Sequence, residues 1–217
     1  MVQNSDPEPA KRRGRPRAYD PDVALRQATE TFWEQGYAGA SLDDLSAATG
    51  MNRPSLYGAF GDKQTLFRIA LDRYMDESRA ALTQAFRAGG TLRQTLERVY
   101  HAALGLYLSG DVGGRGCFLT SAGLGQAVVD PVVRQTVADG LHELDRGFAR
   151  LFSRAYERGE LPPSTDHAAL ARVAGVILNA LSVRARAGET FEQLDAIIQT
   201  TLDLVCGPPD PTPQASE

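Results

Sequence analysis

Residues 41–60 read Ser41-Leu-Asp-Asp-Leu-Ser-Ala-Ala-Thr-Gly-Met-Asn-Arg-Pro-Ser-Leu-Tyr-Gly-Ala-Phe60, two short periodic segments that meet at a glycine. Ser41 followed by Asp44 is a Ser-x-x-acid start signal. The hydroxyl accepts from a free amide of the first turn, and the carboxylate favours the positive helix end. Leu42, Leu45 and Ala48 then share one face. Gly50 supplies the left-handed residue that ends a helix, and Pro54 suits the first turn of the next, where a missing N–H costs nothing. Leu56 and Phe60 are spaced to pack inward. Asn52, Arg53 and Ser55 remain outward at the start of the second helix, where short polar and cationic groups can meet base edges or phosphates in a major groove. The pattern is that of a helix-turn-helix.

The flanks make it specific. Phe32-Trp-Glu-Gln-Gly-Tyr-Ala-Gly-Ala-Ser41 precedes the motif and Leu56-Tyr-Gly-Ala-Phe-Gly-Asp-Lys-Gln-Thr-Leu-Phe67 follows it. Through Phe32, Gly36, Tyr37, Ser41, Leu45, Gly50, Met51, Leu56, Tyr57, Phe60 and Lys63, residues from about 20 to 70 resemble the TetR family of transcriptional repressors. The chain departs from the family pattern at Ala59, where a phosphate-contacting His is frequent, and at Ala40, where Thr is frequent. The resemblance implies a homodimer on a palindromic double-stranded operator. It also implies a C-terminal domain that receives a small-molecule effector. Ser41, Asn52, Arg53, Pro54, Ser55, Tyr57 and Lys63 are the expected DNA contacts of the head.

Charge distribution adds an arm to that list. The net charge of −4 argues against a general nucleic-acid binder, yet Lys11, Arg12, Arg13, Arg15 and Arg17 crowd cations immediately before the motif. Alone, such a run is commonly a solvated tail. Beside a helix-turn-helix, an arm tracking the minor groove is physically sensible, and Arg13-Gly-Arg-Pro16 resembles a short minor-groove insert.

Composition, 42% hydrophobic and 23% charged, is that of a globular chain. No run is read as reaching the ~20 apolar residues of a membrane span, and the N-terminus lacks the apolar middle of a secretory signal. Two cysteines are too few for a disulfide framework. A cytoplasmic protein without membrane contact is therefore expected.

Along the chain the expected class is all-α, about nine helices without strands. A basic arm over 1–18 precedes a three-helix head over 19–65, an effector-binding and dimerisation domain over 66–207, and a tail over 208–217. Asp20-Pro21 opens the first helix, which stops at Gly36; Asp62 caps a long helix to about Arg87. Thr91, Asp130-Pro131 and Thr190 open others, and Gly-rich residues 110–116 interrupt the chain before a short helix from Cys117.

Catalysis finds no support. His101, His142 and His167 are scattered, and no metal-ligand spacing or nucleophile motif occurs. Gly110–Gly116 lacks the Gly-Lys-Ser/Thr ending of a phosphate cradle and reads as a loop. No cofactor is expected. Tyr100, Tyr107, Phe118, Phe148 and Phe152 each read singly as core; as a set, with His101 and Cys117, they are the residues that the family resemblance implies could line an effector pocket. Cys117 next to Arg115 at a helix start is either a sensing thiol with a lowered pKa or a small buried hydrophobe. Cys206 appears without a cationic neighbour. The helix of 166–187, with Ala171, Ala174, Gly175, Leu178 and Ser182, and the last helix, with Leu194, Ile198 and Leu202, would be internal core in a monomer; the resemblance implies that they pair across a two-fold axis.

Overall fold

A computed structural model describes residues 19–110 and 113–208. The arm arginines Arg12, Arg13, Arg15 and Arg17 lie outside the described residues, as does the tail beyond Pro208. The described residues form helices and turns only: α1 Pro21–Gly39, α2 Leu42–Thr49, α3 Arg53–Phe60, α4 Lys63–Arg87, α5 Leu92–Tyr107, α6 Leu124–Ala127, α7 Pro131–Glu157, α8 His167–Arg186 and α9 Phe191–Cys206. A single π-helical turn, Leu119–Gly123, leads into α6.

Local chemistry sets most of these boundaries. Asp20, Ser41, Asn52, Asp62, Thr91, Asp130, Asp166 and Thr190 each accept a first-turn amide with the side chain. Full capping boxes stand at Ser41/Asp44, Thr91/Gln94 and Thr190/Gln193. In α1 the helical path breaks at Gly36 (φ 75°, ψ 169°), which turns Tyr37 back toward the head.

Two apolar cores result. The first joins α1–α3 and the front of α4, through Phe32, Leu45, Leu56, Phe60 and Phe67, to Phe118, Leu119 and Ala122 beyond the Gly-rich loop and to Val133 and Val137 of α7. The second is built from α5, the rear of α7, α8 and α9 around Tyr100, Phe148, Phe152, Leu178, Ile198 and Leu202. Packing therefore does not divide at residue 65. The head is buried against the π turn and α7, because α4 alone is too narrow to cover its apolar face.

The Gly-rich loop is a close approach to the end of α8. A Cβ at Gly114 would run into the Ala185 carbonyl oxygen, and one at Gly116 (φ +65°) would lie 2.6 Å from that of Ser182.

Two sequence expectations change here. Helix α8 is long and apolar enough by composition to cross a membrane, contrary to the expectation that no such run exists. It packs as a bundle helix instead, with Ala171, Ala174, Leu178, Leu181 and Ala185 in the second core. Those same small residues, expected at a two-fold axis, face the interior of their own chain. What α8 leaves outside is Val173, Val176 and Val183, and α9 leaves Leu204.

Candidate nucleic-acid interface

Helices α2 and α3 meet at Gly50, which adopts the left-handed conformation (φ 64°, ψ 12°) and needs no Cβ there. Met51, Leu56 and Phe60 are buried beneath α3. That fixes its roll, so Asn52, Arg53 and Tyr57 emerge on the opposite side. Tyr57, at 46% exposure, is a large half-apolar side chain left in solvent.

The expected contacts are not equally free. Ser41 is committed to its capping box, with its N–H and hydroxyl both on Asp44. These bonds hold the Asp44 carboxyl below its usual range. The side-chain oxygen of Asn52 accepts from Ser55 N–H at 2.9 Å. Asn52 is thus first a cap, with only its amide NH2 left to donate outward, and Pro54 shapes the first turn without any polar group to offer. Arg53 forks onto Asp43 of α2, with Nε at 3.2 Å and Nη2 at 2.7 Å. Both partners are solvent-exposed, so the pair is weak and the guanidinium exchangeable.

Lys63 stands at the first residue of α4, its ammonium 4.5 Å from the centre of the Tyr37 ring. Partial burial pushes its pKa down, and Asp44 works against that shift. The turn at Gly36 and the start of α4 thus place this cation beside the recognition helix.

The structure also shows groups that sequence reasoning missed. Asp130, read only as the cap of α7, is fully buried and receives both Nε and Nη2 of Arg68, at 2.9 and 2.8 Å, and Nε2 of Gln64 at 2.9 Å. The Arg68 guanidinium, ahead of Gln64 and the two α7 amides, overcomes the burial and holds its carboxyl well below the usual carboxylate range. This fastens the DNA-facing end of α4 to α7. Only the spacing Gln64/Arg68 on one face hinted at it. Trp33 is the second missed group: its indole N–H donates to the carbonyls of Arg115 and Gly116, while the Arg115 guanidinium covers its face at 3.9 Å.

The candidate effector residues are not gathered around an opening. Tyr100, Phe148 and Phe152 are fully buried in the second core, and the Tyr100 hydroxyl donates to the Ala174 carbonyl. Tyr107 is buried in the same core, whereas Phe118 belongs to the first core against Trp33, Phe67 and Tyr74. His101 sits apart on the outer side of α5, paired with Asp195 at 2.6 Å and beside the tilted ring of Phe191. Aromatic residues at helical spacing were equally good core residues, and burial took them.

Around Cys117 the neighbouring cation has other partners. Arg115 is engaged with Glu30 at 2.6 Å, with Ser109 and with Trp33, and the Cys117 N–H is satisfied by Ser182 Oγ at 2.8 Å. The sulfur instead receives the Tyr74 hydroxyl at 3.1 Å. Burial, and then the neighbouring Cys117, push the Tyr74 phenol well up, so it stays a donor. Cys206 does have a cation nearby, Arg93, but burial outweighs it and raises the thiol to about 11.

Comparison with known proteins agrees with this architecture. Residues 24–69 match the profile of bacterial regulatory proteins of the TetR family, and residues 93–201 match the tetracyclin repressor-like C-terminal domain. The chain is 34% identical over 195 residues to the HTH-type transcriptional repressor ComR of Escherichia coli K12, covering 89% of this chain and 92% of ComR. It is 28% identical to the repressor BdcR of the same organism, covering 84% of this chain and 87% of BdcR. Among solved structures, a cysteine mutant of the TetR-family regulator CifR in complex with 26-bp double-strand operator DNA superposes with a TM-score of 0.77. It is 31% identical and covers 88% of this chain and all of that one. Members of this family are transcription factors rather than enzymes. With its helix-turn-helix head and matching C-terminal domain, the chain belongs to the TetR family of bacterial DNA-binding transcriptional regulators.

Proposed function

We propose that the protein is a cytoplasmic homodimeric repressor that occupies a palindromic operator and leaves it when a small-molecule effector binds its C-terminal domain or when a thiol is modified. The observation that carries this is the solvent face of α3. Arg53 and Tyr57 project from a rigidly packed helix, Ser55 is half-buried beside them, and Lys63 flanks them. Arg53 addresses a base edge once Asp43 releases it. Tyr57, Lys63 and the arm arginines hold phosphates. ComR and BdcR are repressors by name, and CifR binds a double-strand operator.

Pairing through α8 and α9 is supported by their outer faces. Val173, Val176, Val183 and Leu204 are 49%, 64%, 63% and 81% exposed, an apolar stripe that a second copy would cover. A dimer presents two α3 helices to two half-sites. Mobility shift with the DNA upstream of the protein's own gene tests the proposal. A salt-sensitive, sequence-selective complex with two protomers per site is expected. Equal affinity for unrelated DNA, or none, would leave instead a ligand-binding module on the same scaffold.

A further inference from the structure

We infer that the groove between α4 and α7 is a binding site for a small amphipathic anion, a phosphate or carboxylate carrying a short apolar body. The inference deepens the ligand-responsive reading above by naming a place and a chemical class. The two helices run in the same direction, from the Gln64/Arg68–Asp130 junction at the head to Arg87 and Glu157 at the far end. Two adjoining cavities open between them. The one nearer the head, about 80 Å³, is walled by Met75, Leu82, Phe86 and Leu144, with the neutralised Arg79–Glu143 ion pair also in its lining. The one at the far end, about 410 Å³, is walled by Arg87, Arg150, Arg154 and Arg158. Thr83, Phe86, Gly147 and Arg150 line both, so the apolar and the cationic spaces share a border.

Where α7 faces α4 it carries glycine, which lets the Met75 and Phe86 side chains lie directly against its backbone as walls of the groove. A Cβ at Gly140 would lie 2.7 Å from the Met75 methyl, and one at Gly147 would lie 3.1 Å from the Phe86 ring. The cationic end is undercompensated. Among the described residues, Arg87, Arg150 and Arg154 take part in no ion pair; Glu157, three residues beyond Arg154, is unpaired as well, so one carboxylate faces three free guanidiniums, and the other nearby acids are taken up. Glu143 holds Arg79, while Glu160 holds Arg158 and accepts from the Leu92 N–H. Arg87 and Arg154 stand in the last turns of α4 and α7, where each offsets the negative end of its helix. Arg150 lies a turn earlier with no such end to offset. Arg150, Arg154 and Arg158 follow one another at i, i+4, i+8, a spacing at which like charges repel. A chain of net charge −4 has gathered unpaired guanidiniums around a cleft, and guanidiniums are suited to bidentate contact with phosphate or carboxylate. The apolar end has room for roughly three methylene-sized groups, at the ~30 Å³ a water-sized group occupies. That fixes the body of the ligand as short.

Calorimetry on the full chain decides this with butyl phosphate and butyrate as probes. Inorganic phosphate, butanol and butylammonium serve as comparisons. One or both amphipathic anions should bind at least tenfold more tightly than inorganic phosphate, and the stronger of the two names the headgroup. The alcohol and the cation should not bind measurably. Arg150→Gln with Arg154→Gln should weaken binding at least tenfold in a protein that still unfolds cooperatively, since both side chains are exposed. Arg172→Gln, on α8 and outside the groove, should have no effect. Equal binding of phosphate and butyl phosphate, binding of butanol, or indifference to the double variant would overturn the assignment. Operator release is read separately. Binding without release retains the site and removes the effector role proposed for it, whereas release by other compounds without binding here does the reverse.

Discussion

The guanidinium of Arg186, in the last turn of α8, donates to the main-chain carbonyl of Trp33 at 3.1 Å across 153 residues of sequence. Its second nitrogen reaches the Glu34 carbonyl, and the first also reaches that of Arg115. The Trp33 and Glu34 carbonyls lie just before the break at Gly36, so a cation from α8 caps the end of that stretch of α1. The helix with the exposed valine stripe is thereby tied to the DNA-binding head.

Arg186→Ala should therefore loosen the head without touching its DNA contacts. A loss of about 1–2 kcal/mol in urea melts is expected, modest for charge-assisted bonds because the arginine is solvent-exposed. Trp33 is the sole tryptophan, so its emission reports the same junction, and it should shift to the red as the Arg115 and Gly116 carbonyls move away. Unchanged emission and an unchanged melt would mean the clamp is inert in solution.

Asp130 sets an acid limit on the opposite side of the head. Its pKa is depressed in the fold, so its contribution is present above the ordinary aspartate value of about 3.9 and is lost as pH falls below it. The melting temperature should drop more steeply between about pH 5 and 3 in the parent than in Asp130→Asn. Asp130→Ala should cost about 3 kcal/mol at neutral pH, because it strands Arg68 beside a buried vacancy. Parallel pH profiles for the parent and Asp130→Asn would count against this junction.

Gly114→Ala tests the loop that carries the first core to α8. Its Cβ would meet main chain rather than a flexible side chain, so relief requires the loop or the helix to move. A destabilisation of about 1–3 kcal/mol is expected by thermal or urea melt. Gly113→Ala is a poorer comparison because φ there is +114°, so Gly125→Ala, in open space on α6, serves as the control.

For dimerisation, the informative substitutions lie on the outer stripe. Val176→Glu with Leu204→Glu should give folded monomers in sedimentation, whereas a charge at Leu178 or Ile198 should unfold the protomer, both being buried. A persistent dimer in the outer double variant would move the interface to another face.

At the recognition helix, Asp43→Asn should tighten DNA binding by freeing Arg53 and removing a carboxylate near the phosphates. Arg53→Ala should cost about 1–3 kcal/mol, mainly at one base position. Lys63→Ala should weaken all sequences and flatten the salt dependence. Equal losses on operator and random DNA for Arg53→Ala would reassign it to the backbone.

Helix existence, type and order were legible in the chain because they depend on neighbours a few residues apart. Ser41/Asp44, Gly50, Pro54 and Asp62 act within one turn, and their pattern alone identified the head. Which way a helix turns its apolar residues was not legible where two faces were both apolar. On α8, Ala171, Ala174 and Leu178 faced inward and left Val173, Val176 and Val183 outside, because α5 and α7 had to be covered first. The aromatic residues Tyr100, Phe148 and Phe152 were drawn into that core for the same reason. Pairings across long separations, Asp130 with Arg68, Arg186 with Trp33 and Tyr74 with Cys117, exist only once two cores bring distant segments together. Sequence determined the helices and the DNA-reading motif through local hydrogen bonding and periodicity; tertiary packing alone decided which polar groups met, because burial is a property of the assembled fold.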